Sequence, residues 1–181
     1  YGNLANLIVE GKDIEGLNVA NIGKMFLGKT KLIPCTAAAV MEHLRFANIP
    51  LRGKEAVVIG RSEIVGKPLM LLLLQESATV TVCHSGTSEA GKLIEHVRRA
   101  DVVVAAIGKP AFVKGDWIKP GAVVIDVGVN QMAGKIVGDV DFDAASKVAG
   151  AITPVPGGVG PVTSIVLMKN VMEAFKQQTQ N

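Results

Sequence analysis

Apolar and polar positions alternate in blocks between residues 55 and 176, and these blocks predict a regular succession of strands and helices. Short runs rich in valine and isoleucine are separated by longer segments whose apolar residues recur at helical spacing. The runs at 102–107 and 122–127 are almost continuously apolar, as is typical of strands buried on both faces of a parallel sheet. The strands are predicted at 55–60, 79–83, 102–107, 122–127 and 150–153, and the helices at 67–76, 88–99 and 162–176. This order predicts an α/β fold with a Rossmann-like, doubly wound and mainly parallel sheet.

The segment ahead of this sheet has a different pattern. Thr36 is predicted to cap a helix over residues 37–48, and the turn-rich residues 49–54 lead into the first strand. Residues 1–33 show little periodicity. Because the chain begins with Tyr1 instead of methionine, we interpret it as part of a longer protein and this segment as the tail of a preceding unit.

Composition narrows the possible functions. Of the 181 residues, 49% are hydrophobic, which is enough to form the core of one domain with an appendage. The longest apolar runs, at 69–74 and 102–107, are much shorter than the ~20 residues that a membrane-spanning helix needs. The net charge is only +3 and the basic residues are scattered, so the sequence does not favour a nucleic-acid partner.

Candidate metal ligands and nucleophiles are sparse. Cys35 and Cys83 stand in apolar surroundings without CxxC spacing, which favours reduced core thiols and leaves a disulfide as the alternative. His43 and His96 fall within predicted helices as exposed or packing residues. No metal site is expected from these residues. Four aspartates at strand ends or in loops are interpreted as helix caps and turn residues: Asp126, Asp139, Asp141 and Asp143.

The segment after the first predicted strand carries the strongest functional signal. The strand ends at Gly60, and Gly66 follows six residues later, directly before a predicted helix. A strand, a tight turn and a helix in this order can hold a phosphate group at the helix N-terminus. The dinucleotide-binding fingerprint places a glycine two residues after the first one, where this chain has Ser62. This motif alone leaves open both a nucleotide site and an ordinary strand-to-helix turn.

The residues that follow the second predicted strand bear on the type of nucleotide. An NAD site places an acidic residue there, about 20 residues beyond the first glycine, to bind the ribose 2′-hydroxyl. Residues 82–86 contain no carboxylate, whereas Arg61 follows Gly60 directly and Ser85 offers a hydroxyl group. A guanidinium and a hydroxyl suit an adenosine 2′-phosphate, so the pattern favours NADP. The alternative is a surface arginine beside an ordinary turn.

A second glycine-rich loop precedes the last predicted helix. Three glycines occur within residues 157–160, and prolines flank this stretch on both sides. Such a loop lets the backbone approach a flat ligand closely and leaves amides accessible at a helix N-terminus. A simple turn is the alternative, but a loop of this composition between a strand and a helix is more typical of a binding edge.

Several motifs together resemble the bifunctional methylenetetrahydrofolate dehydrogenase/methenyltetrahydrofolate cyclohydrolase family. The similarity extends from Lys12 to about Phe175. Glu15 takes the place of the aspartate that orients the folate in this family. The motifs that carry the resemblance occur in the family's order at residues 34–36, 60–68, 78–81, 83–85, 117–121, 124–128, 137–140 and 153–161.

The resemblance implies oxidation of 5,10-methylenetetrahydrofolate with NADP and hydrolysis of the methenyl product to 10-formyltetrahydrofolate. These are reactions of one-carbon metabolism and purine biosynthesis. By motif, the cofactor would contact Gly60, Arg61 and Ser62 through its phosphates, Ser85 through its 2′-phosphate, Val129 through its adenosine or ribose, and Thr163 near its nicotinamide. The folate would contact Glu15, Pro156, Gly157, Gly158, Val159 and Gly160.

The resemblance also implies a two-domain enzyme with the folate between its domains. Residues 1–36 would be the remnant of a preceding α/β catalytic domain, residues 37–160 the NADP-binding domain, and residues 161–181 a helix that packs towards the preceding domain. The family's catalytic Tyr-x-x-x-Lys motif is absent, because the only tyrosine is Tyr1 and Ala5 stands four residues later. No catalytic residue is therefore expected in this chain.

A cytoplasmic homodimer with a folate substrate, and with neither nucleic-acid nor membrane partners, is the expected state. The alternative is a non-catalytic nucleotide-binding or dimerisation module of the same fold.

Overall fold

A five-stranded parallel sheet forms the centre of the computed structural model, which describes residues 7–179. The order of the sheet strands is β2-β1-β3-β4-β7, while β5 and β6 form a separate antiparallel hairpin. This arrangement confirms the predicted α/β, mainly parallel sheet. The strands are β1 (Glu55–Ile59), β2 (Thr79–Cys83), β3 (Val102–Ala105), β4 (Val123–Asp126), β5 (Asn130–Met132), β6 (Lys135–Val137) and β7 (Ala151–Ile152).

Helices connect the strands and cover both faces of the sheet. They are α1 (Val19–Phe26), α2 (Cys35–Phe46), α3 (Gly66–Gln75), α4 (Ser85–Glu89), α5 (Leu93–Arg99), α6 (Phe142–Ala145) and α7 (Val159–Thr179). Two short 3-10 turns lie at Glu10–Lys12 and Gly115–Trp117. The C-terminal helix α7 packs mainly on α2, so it belongs to the same layer as α2 and α3.

The core consists of two apolar clusters, one on each face of the sheet. Val58 and Val104 point into the cluster formed with α2, α3 and α7, whereas Val57 and Val103 belong to the opposite cluster with α5. Successive strand residues therefore alternate between two buried faces. This double burial explains why the strands appear as continuous apolar runs in the sequence.

The sheet topology also positions a binding site. From β1 the chain crosses to β2 on one side, and from β2 it returns to β3 on the other side of β1. The loops that follow β1 and β3 therefore diverge, and a crevice opens beyond their carboxyl ends. Ligands of open α/β sheets bind at such a switch point.

Three helix predictions are wrong in their boundaries. Thr36 is not an N-cap, because α2 already begins at Cys35 and Pro34 occupies the cap position without a side-chain hydrogen bond. The helix predicted over 88–99 is two helices, α4 and α5, separated at Gly91, whose φ of 69° lies in the left-handed region. The last helix begins at Val159 instead of residue 162 and continues to Thr179.

The segment before α2 has more structure than its sequence pattern predicts. Helix α1 begins after Asn18, whose side chain accepts the N–H of Ala20 at 2.8 Å. The buried carboxylate of Asp13 accepts the N–H of Asn18 at 2.7 Å and the side-chain amide of Asn21 at 2.9 Å. Polar contacts therefore organise this segment. Because such contacts produce no regular spacing of apolar residues, the sequence pattern did not reveal it.

Candidate functional site

A cleft of about 320 Å³ lies at the carboxyl ends of β1, β2 and β3. Its position is the switch point of the sheet. Four residues predicted to bind the cofactor meet here, because each follows the end of a neighbouring strand. The lining includes Gly60, Arg61 and Ser62 after β1, His84, Ser85 and Ser88 after β2, and Ile107, Lys109 and Phe112 after β3.

Two glycines shape the turn after β1. Gly60 has a φ of 126°, and a Cβ atom there would collide with the carbonyl oxygen of Ala106. A Cβ atom on Gly66 would collide with the carbonyl oxygen of Gly60. The first contact brings the β1 and β3 loops together, and the second packs the start of α3 against the turn. This explains why the chain has glycine at these positions although it departs from the usual fingerprint.

Ser62 fastens this turn to the beginning of α3. Its Oγ accepts the N–H groups of Val65 at 3.2 Å and Gly66 at 3.3 Å, and its O–H hydrogen remains available to a ligand. The N–H groups of residues 61–64 donate to no acceptor within residues 7–179, and these four residues are exposed. The turn thus offers several backbone donors at the positive end of a helix, which is a suitable place for a phosphate.

His84 holds the loop after β2. Its Nδ1 accepts the N–H of Gly86 at 3.2 Å, and its own N–H donates to Thr87 Oγ1 at 3.2 Å. This reciprocal cap requires an unprotonated Nδ1 and places the exposed Ser85 at the first position of α4. Among the described residues, the cleft is lined by the cations Arg61 and Lys109 and by no carboxylate. The lining therefore favours an anionic ligand.

The loop after β3 is held by a buried carboxylate. Asp139 is completely buried, and its carboxylate accepts the N–H groups of Ile107 at 2.6 Å, Gly108 at 3.0 Å and Lys109 at 2.8 Å. The Asn130 side chain also donates to this carboxylate, at 2.9 Å. Three consecutive amides on one carboxylate fix the backbone of this wall of the cleft.

A second buried carboxylate supports the first. Asp126 accepts the N–H groups of Gly128, Asp139 and Val140, each at 2.9 Å. Its own N–H donates to Thr153 Oγ1 at 2.8 Å. Burial raises the pKa of Asp126, although its three N–H donors oppose this effect. The sequence-based interpretation of these aspartates as turn residues was incomplete, since Asp126 and Asp139 join loops from three separate parts of the chain.

A second cleft of about 220 Å³ lies along residues 154–161, with Val129 and Ile136 on its other side. It contains the predicted folate-binding residues Pro156, Gly157, Gly158, Val159 and Gly160. Asp126 also lines it, so the two buried carboxylates connect the walls of both clefts.

The three remaining predicted site residues also lie outside the first cleft. Val129 lines the second cleft. Thr163 lines neither cleft, and its Oγ1 donates to the Val159 carbonyl oxygen at 3.0 Å within the first turn of α7. Glu15 is exposed, lines neither cleft and lies beside Cys35. The described residues therefore bring together only part of the predicted site.

Cys35 and Cys83 are both free and buried, which confirms the interpretation as reduced core thiols. Burial, and after it the neighbouring Glu15 carboxylate, raise the pKa of Cys35 to about 12. The buried Asn170 of α7 donates to Ile14 O at 2.8 Å and Ile33 O at 2.9 Å and contacts Cys35 Sγ at 3.5 Å. Asn170 thereby fastens the segment before α2 to the C-terminal helix.

Two further observations concern residues 7–179. None of the helices in this range is long and apolar enough to cross a membrane. In the same range, no three His, Cys, Asp or Glu side chains are grouped so that they would hold a metal ion.

The parallel sheet, its switch-point cleft and the glycine turn ahead of α3 define a dinucleotide-binding domain of the Rossmann type. Residues 34–179 match the family described as tetrahydrofolate dehydrogenase/cyclohydrolase, NAD(P)-binding domain. The chain therefore belongs to this family, which confirms the resemblance found in the sequence.

Individual relatives agree with this assignment. The chain is 53% identical over 170 residues to the bifunctional protein FolD of Acetivibrio thermocellus, which covers 93% of this chain and 59% of the relative. The FolD dehydrogenase/cyclohydrolase structure from Campylobacter jejuni is 42% identical with a TM-score of 0.93, covering 98% of this chain and 62% of that one. The dehydrogenase-cyclohydrolase structure from Trypanosoma brucei, complexed with NADP and an inhibitor, is 44% identical with a TM-score of 0.92, covering 99% and 63%. The chain spans about three-fifths of the length of the curated relatives it matches.

Proposed function

We propose that this chain is the NADP-binding part of an enzyme that oxidises 5,10-methylenetetrahydrofolate and hydrolyses the methenyl product to 10-formyltetrahydrofolate. The observation that carries the proposal is the cleft that brings Gly60, Arg61, Ser62 and Ser85 together in a chain of this family. The two solved structures named above, from Campylobacter jejuni and Trypanosoma brucei, bear the names of both activities.

The first cleft suits NADP in its charge and its donors. The free N–H groups of residues 61–64, at the start of α3, would hold the diphosphate. Arg61 and the Ser85 hydroxyl would bind the adenosine 2′-phosphate, and Ser62 would add its O–H to the phosphates. The lack of a lining carboxylate, among the described residues, removes the group that would select a ribose with a free 2′-hydroxyl.

The second cleft is the proposed place of the folate. Residues 156–160 would approach the flat ring system with their backbone, since Gly157, Gly158 and Gly160 carry no side chains. Val129 lines this same cleft, so of its two predicted partners a ribose of the cofactor fits its position better than the adenosine, and Thr163 would lie near the nicotinamide. Glu15 would take the part of the folate-orienting aspartate in the family.

The two reactions place different demands on the protein. When bound, the nicotinamide would accept a hydride from a methylene carbon that two folate nitrogens already activate. The residues of this chain would therefore mainly align the two ligands and supply no general base. Hydrolysis requires activation of water and movement of protons. We assign this task to the lysine of the family's Tyr-x-x-x-Lys motif, which this chain does not contain.

The proposed domain organisation gives the C-terminal helix a second role. In this proposal, residues 1–36 are the remnant of a preceding α/β domain, residues 37–160 bind NADP, and residues 161–181 pack towards the preceding domain. An apolar stripe on α7 supports it, because its members are 57–70% exposed: Ile165, Met168, Met172 and Phe175. The share of the relatives' length that the chain leaves uncovered is consistent with a partner domain for this stripe.

We further propose that the protein is a cytoplasmic homodimer that serves purine biosynthesis. Support for the dimer comes from apolar side chains on the hairpin, where Met132 is 48% and Ile136 51% exposed. Support for the pathway comes from the product, since 10-formyltetrahydrofolate is a carrier of one-carbon units.

An activity assay of the protein made from the complete coding sequence tests the proposed function. The substrate is 5,10-methylenetetrahydrofolate, and the formation of reduced nucleotide is measured once with NADP and once with NAD as the cofactor. We expect reduction of NADP and, with 5,10-methenyltetrahydrofolate as substrate, formation of 10-formyltetrahydrofolate. Tight NADP binding without either reaction would instead identify a non-catalytic nucleotide-binding or dimerisation module.

A further inference from the structure

Lys109 lies in the first cleft, and no sequence motif singled it out. It comes from the loop after β3, whereas Arg61 comes from the loop after β1, so the two cations belong to different walls. Neither has a carboxylate partner among the described residues, although six ion pairs form elsewhere on the surface. Two unpaired cations in one cleft are an unfavourable arrangement unless an anion binds between them.

The backbone beneath Lys109 is fixed. Its N–H donates to the buried Asp139 carboxylate at 2.8 Å, and the N–H groups of Ile107 and Gly108 bind the same carboxylate. All three amides of residues 107–109 are therefore occupied, so this stretch can offer an anion only the Lys109 side chain. The Lys109 Nζ lies 5.4 Å from the centroid of the Phe112 ring, which also lines the cleft. This cation–π contact keeps the ammonium group at the cleft wall.

The charge of the proposed ligand requires a second cation. A phosphate monoester carries about −1.5 to −2 charges at pH 7, and one guanidinium compensates only part of it. The diphosphate has its own donors in the backbone N–H groups of residues 61–64. Resting on the proposed function, we propose that Lys109 recognises the 2′-phosphate of NADP together with Arg61. Preference for the phosphorylated dinucleotide then depends on both loops.

Binding measurements on the purified protein separate the 2′-phosphate from the rest of the cofactor. Isothermal titration calorimetry with 2′,5′-ADP, 5′-AMP, NADP and NAD is performed on wild type, Lys109→Met and Lys109→Arg. The methionine variant keeps the aliphatic stem and removes the charge. Lys147→Met is the matched control, because Lys147 is an exposed lysine that lines neither cleft. It changes the net charge by the same amount.

We expect Lys109→Met to weaken NADP and 2′,5′-ADP about tenfold, the effect of losing one charge-assisted hydrogen bond in a partly exposed cleft. NAD and 5′-AMP should change less than about twofold, since they lack the 2′-phosphate. Lys109→Arg should restore most of the affinity for NADP, and Lys147→Met should behave like wild type. The salt dependence of 2′,5′-ADP binding should also decrease in Lys109→Met.

An equal loss of NADP and NAD affinity in Lys109→Met would place the lysine on the shared part of the cofactor and overturn the proposal. Unchanged affinities would overturn it as well. In both cases the wild-type preference for NADP would leave the proposed function intact. A wild-type protein that binds neither dinucleotide would contradict the proposed function itself and the inference with it.

Discussion

The Asp126 carboxylate accepts the backbone N–H of Asp139 at 2.9 Å, and both carboxylates are buried behind the carboxyl edge of the sheet. Asp139 in turn holds the loop of residues 107–109, which forms one wall of the first cleft. The Asp126 carboxylate also accepts the N–H of Gly128, which lines the second cleft, and the backbone N–H of Asp126 donates to Thr153 Oγ1 immediately before the loop of that cleft. The relative position of the two clefts therefore depends on these two side chains.

Asp139→Asn tests this dependence. An amide side chain has one acceptor oxygen and brings two N–H donors towards N–H groups that need acceptors. We expect the free energy of unfolding to fall by about 2–4 kcal/mol, the usual cost of breaking a buried charged network. Affinity for NADP and NAD should fall together, because the cleft wall moves. Urea unfolding and nucleotide titration measure the two effects.

The matched control is Asp141→Asn, which changes an aspartate two residues away. Its carboxylate accepts one N–H, that of Ala144, as the cap of α6. We expect a loss of about 1 kcal/mol or less in the free energy of unfolding, since asparagine is also a good N-cap residue. Nucleotide binding should not change. Wild-type nucleotide affinity in Asp139→Asn would show that the 107–109 loop does not depend on this carboxylate.

Asp101 directly precedes β3, at the edge of the sheet opposite the clefts, and should make the free energy of unfolding depend on pH. The hydrogen bond from Lys119, together with the N–H of Glu55, lowers the pKa of Asp101. A carboxyl group whose folded-state pKa is lowered stabilises the fold above its ordinary pKa, and this contribution is lost as the pH falls through the lowered value. Asp101→Asn should therefore destabilise most at neutral pH, by about 1 kcal/mol.

The difference between Asp101→Asn and wild type should shrink as the solution becomes acidic, because the wild-type carboxylate is then also protonated. Urea unfolding of both proteins at a series of pH values measures this difference in the free energy of unfolding. Glu63→Gln, which removes an exposed ion pair with Lys67, is the control and should have little effect at any pH. A destabilisation of Asp101→Asn that is constant with pH would contradict the assignment.

Cys35 should be chemically inert in the folded protein. Its pKa of about 12, raised first by burial and then by Glu15, leaves almost no thiolate at neutral pH. We expect iodoacetamide to modify neither Cys35 nor the equally buried Cys83 under native conditions, and to modify both in urea. Mass spectrometry of the alkylated peptides distinguishes the two sites. Rapid alkylation of Cys35 in a protein that keeps its circular dichroism spectrum would contradict this placement.

The apolar stripe of α7 predicts self-association of the 181-residue chain when it is produced alone. Exposed methionine and phenylalanine side chains on one helix face form an interaction surface for other copies if no partner domain covers them. Met168→Ser combined with Phe175→Ser should shift the mass measured by light scattering from larger species towards the dimer.

Ser164→Ala is the control for this variant, because Ser164 is an exposed residue on the same helix. It should leave the mass distribution unchanged. A wild-type chain that is monodisperse and does not bind hydrophobic dyes would argue against an open interface on α7. An association that persists in the double variant would place the contact elsewhere.

Much of the fold could be predicted because the physical cause is local. Strands buried on both faces are mostly apolar, so β3 is visible as an unbroken apolar run and β4 as an apolar run that ends in the buried Asp126. Residues at the carboxyl ends of parallel strands meet at one edge of the sheet, and for this reason Gly60, Arg61 and Ser85 line one cleft.

The remaining features depend on contacts between distant residues. Asp126 and Asp139 look like turn residues until the β5–β6 hairpin returns the chain and buries one carboxylate against the other loop. Asn170 contacts Cys35, 135 positions away, and no local pattern signals this contact. Lys109 became a candidate only when the fold placed it opposite Arg61, because a single lysine in a loop carries no motif.

Arg61 provides the most direct test of whether the first cleft binds NADP through its 2′-phosphate. The measurement is the ratio of the dissociation constants of NADP and NAD, by calorimetry, for wild type and Arg61→Gln. A guanidinium–phosphate pair contributes about 1.5–3 kcal/mol, or roughly a ten- to hundred-fold change in affinity. We predict that wild type prefers NADP by at least about tenfold and that Arg61→Gln loses most of this preference while NAD binding is little changed. An Arg61→Gln protein that loses affinity for NADP and NAD equally, or for neither, would show that Arg61 does not bind the 2′-phosphate.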